Sequence, residues 1–166
     1  MRLACFDVDG VLTDGRLWYG ADGELMKAFH VHDGQGLRML AEAGIAVAVV
    51  TARRSAAVVA RMADLGIVRV HQGVPDKLAC VRMLATELGC RLAAVAFTGD
   101  DLPDREAMSK AGLAVAVANA RPEIHAIAHW STRARGGCGA VREVCDLLRI
   151  ANTPARGAGG ADGVRA

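Results

Sequence analysis

The sequence predicts an α/β fold, a Rossmann-like, doubly wound parallel sheet with helices on both faces and a separate β-hairpin. Three observations point there. Short apolar runs are continuous rather than alternating, as in strands covered on both faces. Helix-like stretches separate them, which implies βαβ units. Hydrophobic residues make up 52% of the chain and aromatics only 4%, which suits a compact α/β core better than a β-sandwich.

Taken in order, the first buried strand is Leu3 to Val8. Residues 16–29, RLWYGADGELMKAF, break the rhythm, with two short flanks around Ala21-Asp22-Gly23. This reads as a hairpin with an Asp-Gly turn. A short helix follows, then the strand Ile45 to Val50. Ser55 to Leu65 is helical, with Ser55 as N-cap and Gly66 as the stop. After one short strand, a helix runs from Asp76 to Leu88 and is closed by Gly89. Leu92 to Phe97 and Leu113 to Ala118 are strands, and the helix between them starts near Pro103 and ends before Gly112. A last helix covers Gly139 to Ile150. The reading is one domain over residues 1–151, with 152–166, rich in Gly, Ala and Pro, as a flexible tail.

Composition excludes several function classes. The net charge is +2 and the basic residues are spread along the chain, so no nucleic-acid patch is expected. The five cysteines are irregularly spaced with no C-x-x-C, which suits reduced thiols in a cytoplasmic protein. The chain enters a strand at once, so no signal peptide is expected. No apolar run approaches the roughly 18 residues needed to span a membrane.

In an open parallel sheet, ligands sit beyond the carboxyl ends of the strands. The residues found there are Asp7 and Asp9 after the first run, and Thr51, Arg53 and Arg54 after the second. Asp100, Asp101 and Asp104 follow the third, and Lys77 opens a helix. Clustered carboxylates are costly unless a cation neutralises them, and hard oxygen ligands suit Mg²⁺. A hydroxyl and an amine nearby suit a phosphate. One carboxylate can attack phosphorus and form an aspartyl-phosphate, while the other acts as general acid and then base. Asp7 and Asp9 lie on one face of an extended strand, and the spacing leaves open which of them attacks.

These motifs resemble those of haloacid-dehalogenase-type phosphatases: DVDGVLTDG, Thr51 after the second strand, Lys77 opening a helix, and GDDLPD. FHVHDGQGLRML, TARRS, QGVPDKL, GLAVAVANA and GGCGAVREVCDLL narrow the resemblance to the small-capped branch that contains 3-deoxy-D-manno-octulosonate 8-phosphate phosphatases. It covers about Arg2 to Ala151. The resemblance implies that Asp7 is the nucleophile and a Mg²⁺ ligand. It implies that Asp9 is the acid/base and binds the metal through its backbone carbonyl, and that Asp100 is the third ligand. Asp101 and Asp104 support the metal site, and Thr51 and Lys77 hold the phosphate. It further implies lipopolysaccharide biosynthesis, and a homotetramer in which the hairpin replaces a cap domain and a neighbour covers the site. Trp18, Tyr19, Leu25, Met26 and Phe29 would supply that contact.

For a sugar-acid phosphate, the substrate carboxylate needs a cation, and Arg53 and Arg54 are candidates. His32 should lie near the mouth, at a position where relatives often carry Arg. Relatives also often carry Arg where Cys138 stands. These departures bear on the sugar, not on the phosphate chemistry. A His30–His32 metal pair and a nucleophilic Cys138 are the weaker readings of those residues. The alternatives to octulosonate phosphate are a nonulosonate (sialic-acid-type) 9-phosphate or a broad range of small phosphates. From another class, a non-catalytic oligomerisation module could afford to lose Asp9, Lys77 or Asp100, and all three are kept.

Overall fold

Six parallel strands form the central sheet: β1 (Leu3–Phe6), β4 (Ala46–Thr51), β5 (Arg69–Gln72), β6 (Val95–Gly99), β7 (Leu113–Ala116) and β8 (Trp130–Ser131). The spatial order is β5-β4-β1-β6-β7-β8, with the first strand near the centre, as a doubly wound sheet requires. A separate antiparallel pair, β2 (Trp18–Gly20) and β3 (Gly23–Met26), forms the hairpin around Ala21 and Asp22. The computed structural model describes residues 1–152, so the expected tail lies outside the described residues from position 153 on.

Alternation within β1 explains the two cores. Ala4 and Phe6 face one side, Leu3 and Cys5 the other, and all four are buried. The first side packs on α1 (Val31–Glu42), α2 (Ala56–Leu65) and α6 (Ala140–Asn152), through Leu37, Leu40, Met62, Val144 and Leu148. The second packs on α3 (Lys77–Glu87), α4 (Arg105–Lys110) and α5 (Pro122–His125), through Leu78, Val81, Leu84, Met108 and Ile124. Burying a large aliphatic side chain contributes about 1.5–3 kcal/mol, so both layers hold the strand ends in place. Among the described residues, no helix is long and apolar enough to cross a membrane.

Several elements differ from the sequence reading. The third predicted strand begins three residues late, because Leu92–Ala94 forms a 3-10 turn before β6. The helix after the hairpin is not short: α1 has 12 residues and packs against α6. Asp33 on α1 is buried, and its carboxylate accepts the amides of Gly139 (3.3 Å) and Arg142 (2.8 Å), capping the start of α6. Ser55 does precede α2, but its hydroxyl makes no cap bond and turns to Glu24 on the hairpin instead. The short elements α5 and β8 carry too few residues to show a period.

Candidate active site

The sheet delivers the acids. Asp7 directly follows β1, and its amide still donates to Thr98 on β6 at 3.1 Å, so the residue is held in the sheet's register. The backbone then turns at Gly10, which has φ +91°. A Cβ at that position would lie 2.0 Å from Asp100 Oδ2. Glycine is therefore needed twice, for the left-handed turn and for the approach of the third acid.

A buried chain of charge fixes Asp7. Lys77 Nζ donates to Asp7 Oδ1 at 2.8 Å and to Asp104 Oδ1 at 2.6 Å. Asp76 caps α3 by accepting the Ala79 amide at 2.9 Å, so the first residue of the helix is aimed at the acids. Asp104 Oδ2 accepts the amides of Asp100 (3.0 Å) and Asp101 (3.3 Å). Asp101 in turn accepts the amide of Leu102 at 2.7 Å. Both thus brace the turn that carries Asp100. Burial pulls the Lys77 ammonium down, but the charges of Asp7 and Asp104 outweigh it and hold the group above its ordinary range. Burial first, and then Asp104, raises the Asp7 carboxyl, with Lys77 opposing.

Oxygens of Asp7, Asp100 and Asp104 lie within 4.8 Å of one another. Both Asp104 oxygens are already bonded to Lys77 or to amides. Asp100 Oδ1 is buried with no hydrogen-bond partner among the described residues. Burial and the charges of Asp7, Asp104 and Asp101 push the Asp100 carboxyl up to about 8. An unpartnered buried oxygen in a surplus of negative charge fits a hard divalent cation, which removes the repulsion.

A second charged group closes the other side, and sequence reasoning missed most of it. Lys27, just past β3, bonds Asp9 Oδ1 and lies 3.1 Å from Glu24 Oε2. Arg53 is 3.7 Å from Asp9 Oδ2 and 3.5 Å from Glu24 Oε2, donates to the Tyr19 hydroxyl at 2.6 Å, and lies over that ring. The signal was slight: Glu24 and Lys27 flank the apolar pair Leu25-Met26, but nothing in their spacing points to Asp9.

One cavity of about 320 Å³ is lined by Asp7, Asp9, Thr51, Arg53, Lys77, Asp100, Asp101 and Asp104. Eight predicted site residues therefore meet in one place. Two do not. Arg54 lies over Gly73, outside the lining. His32 stacks edge-on with His30, ring centroids 5.0 Å apart, and also lies outside the lining. Cys138 is exposed on a loop pinned to the Gly10 turn. Asn119 holds that loop by donating to Gly10 O (2.9 Å) and accepting the Gly136 amide (2.6 Å).

Comparison with known proteins agrees with this geometry. The haloacid dehalogenase-like hydrolase family profile matches residues 64–141. The 3-deoxy-D-manno-octulosonate 8-phosphate phosphatase KdsC of Yersinia pestis is 46% identical over 160 residues, 96% of this chain and 86% of that protein. KdsC of Escherichia coli K12 is 47% identical over 151 residues, 91% of this chain and 80% of that protein. The Moraxella catarrhalis phosphatase, solved with magnesium, phosphate and KDO, superposes with a TM-score of 0.88 at 43% identity, covering 91% of this chain and 87% of that one.

Proposed function

The chain belongs to the 3-deoxy-D-manno-octulosonate 8-phosphate phosphatase family of haloacid dehalogenase-like hydrolases, and on that premise we propose that it hydrolyses this sugar-acid phosphate through an aspartyl-phosphate on Asp7. The observation that carries the reading is the convergence of Asp7, Lys77, Asp104, Asp100 and Thr51 on one cavity.

In this reading an Asp7 carboxylate oxygen attacks phosphorus and the phosphorus–sugar oxygen bond breaks. Asp9 gives its proton to the departing sugar oxygen, then takes one from the water that attacks the aspartyl-phosphate and frees Asp7. Lys77, bonded to Asp7, orients the nucleophile and offsets charge on the phosphoryl oxygens. Thr51, buried at the end of β4, offers its hydroxyl to the phosphate. Mg²⁺, held by the Asp7 and Asp100 carboxylates and the Asp9 carbonyl, would neutralise the acids and the phosphoryl charge. Asp101 and Asp104 keep Asp100 in place.

We place the substrate carboxylate near Arg53, which faces the cavity. The subunit alone leaves the mouth open, and Trp18 and Leu25 on the hairpin are 51% and 66% exposed. A homotetramer built on that surface would cover both. The test is a Mg²⁺-supplemented screen of 2-keto-3-deoxy sugar acid phosphates against neutral sugar phosphates. Octulosonate 8-phosphate should give the highest kcat/KM. A preference for a nonulosonate 9-phosphate would move the assignment to that substrate. A preference for neutral sugars would overturn both.

A further inference from the structure

We infer that Lys27, backed by Glu24, is a positioning residue for Asp9, and that it leaves Asp9 Oδ2 as the oxygen that handles the proton. This rests on the acid/base reading of Asp9. The geometry is specific. The Lys27 side chain is only 1% exposed although it belongs to an exposed hairpin. A buried ammonium is costly unless paired, and its two partners are the carboxylates of Asp9 and Glu24.

Glu24 is not free to give way. Ser55 donates its hydroxyl to one oxygen, and Lys27 and Arg53 lie against the other. Burial acts to raise the Glu24 carboxyl, but the bonds from Ser55 and Lys27 outweigh it and hold the group low, so Glu24 stays ionised. Lys27 is therefore held from behind and grips one Asp9 oxygen from the front. The other Asp9 oxygen, Oδ2, is buried with no hydrogen-bond partner among the described residues. Arg53 Nε lies 3.7 Å from it, beyond hydrogen-bond reach. A general acid needs one oxygen anchored and one left free, and Asp9, which lines the cavity, has Oδ1 held by Lys27 and Oδ2 without a hydrogen bond among the described residues.

A hairpin staple with no part in catalysis would use the same ion pairs, so the test must separate the two roles. General acid help matters for an alkyl oxygen, a poor leaving group, and little for 4-nitrophenolate, a good one. We would measure kcat/KM, which covers steps up to leaving-group departure, on octulosonate 8-phosphate (or the best alkyl phosphate) and on 4-nitrophenyl phosphate. Wild type, Asp9→Asn, Lys27→Met, Lys27→Arg and Glu24→Gln would be compared with saturating Mg²⁺. General acid catalysis is worth roughly 10²–10⁴. Lys27→Met should therefore lose about 100-fold on the alkyl substrate and at least about tenfold less on the aryl one. Lys27→Arg should restore most of the difference, and Glu24→Gln should show the same selective loss in smaller measure.

Equal losses on both substrates in Lys27→Met, beside a selective loss in Asp9→Asn, would overturn the positioning role and leave the acid/base reading standing. Equal losses in Asp9→Asn itself would overturn that reading and this inference with it. Should Lys27→Met lose both activities through unfolding, the substrate ratio in Glu24→Gln decides by the same criterion.

Discussion

Two charged groups face the same cavity and are built in different ways. The first, Asp7 with Lys77, Asp104 and Asp100, hangs on β1, α3 and β6, elements of the six-stranded sheet and its cover. The second, Asp9 with Lys27, Glu24 and Arg53, depends on a hairpin whose two strands, among the described residues, pair only with each other. The groups we assign to attack and to phosphate binding thus sit on the sheet and its cover. The group we assign to proton transfer leans on a peripheral element whose outer face is apolar and exposed. Anything that covers that face bears on Asp9 as well.

The largest break should come in the first group. Asp7→Asn should abolish turnover on every phosphate ester, by about 10⁴-fold or more, because Asp104, the other carboxylate that Lys77 holds, has both oxygens engaged by Lys77 and backbone amides. Retained turnover, with no phosphate trapped on the protein in acid quench, would remove Asp7 from its role. Removing divalent ions with EDTA should silence the wild type equally and reversibly. The pH dependence of the metal's effect follows from Asp100. Its folded carboxyl lies at about 8, above the ordinary carboxylate range. With respect to this group, the metal-free fold is most stable below about pH 4, and it loses that stability as pH rises through about 8. Asp7 is shifted the same way. Mg²⁺ favours the ionised acids, so its stabilisation should grow with pH. We expect the rise in Tm on adding Mg²⁺ to be roughly 2–4 °C larger at about pH 8.5 than at about pH 5.5, which corresponds to about 1 kcal/mol. A rise independent of pH would show that the acids are not the metal's ligands.

Lys77→Met sharpens the same side. It removes the buried cation between two buried carboxylates, and breaking such a pair costs about 3–5 kcal/mol. Urea unfolding should show that loss in the metal-free protein, and kcat/KM should fall about 10³-fold. Unchanged stability would mean that the Lys77 ion pairs add nothing to the fold.

The contrast also explains what the sequence could and could not disclose. Asp7, Thr51 and Asp100 stand at the ends of apolar runs, so strand periodicity and the rule for parallel sheets are enough to bring them together. Lys77 is legible because Asp76 marks the helix start. Lys27 has no such marker. It reaches Asp9 only because the hairpin folds back over the sheet edge, a tertiary contact between residues 18 apart in sequence that no local period encodes. Ser55 shows the same limit. Its position reads as a cap, yet the hairpin takes its hydroxyl. His32 and Arg54 show another limit: near the motifs in sequence, they fall outside the cavity lining, His32 on α1 and Arg54 against Gly73.

On the hairpin side, Leu25→Asp combined with Met26→Asp leaves Glu24 and Lys27 in place and charges the exposed face. If that face joins subunits, light scattering should show a tetramer falling to smaller species. The kcat/KM on the sugar-acid phosphate should then fall about 10- to 100-fold as the mouth loses its cover. A tetramer that survives both charges would place the contact elsewhere.

The smallest expected effect separates two neighbouring arginines that the sequence treats alike. Arg53 lines the cavity and sits between Asp9, Glu24 and Tyr19, half-buried at 37% side-chain exposure. Arg54 packs over Gly73, where a Cβ would lie 2.6 Å from its Nε. Of the two, Arg53 is the one in the cavity lining and the one we assign to the substrate carboxylate, so Arg53→Ala should raise KM for the sugar-acid phosphate about tenfold, near the worth of one charge-assisted hydrogen bond. Arg53 also touches Asp9, so part of the loss should appear in kcat. Arg54→Ala should change neither constant by more than about threefold, the scale of an exposed contact. Equal effects from the two substitutions would mean that the loop after β4 rearranges when substrate binds. The hairpin contacts to Glu24 and Tyr19 would then be a resting arrangement that gives way during turnover.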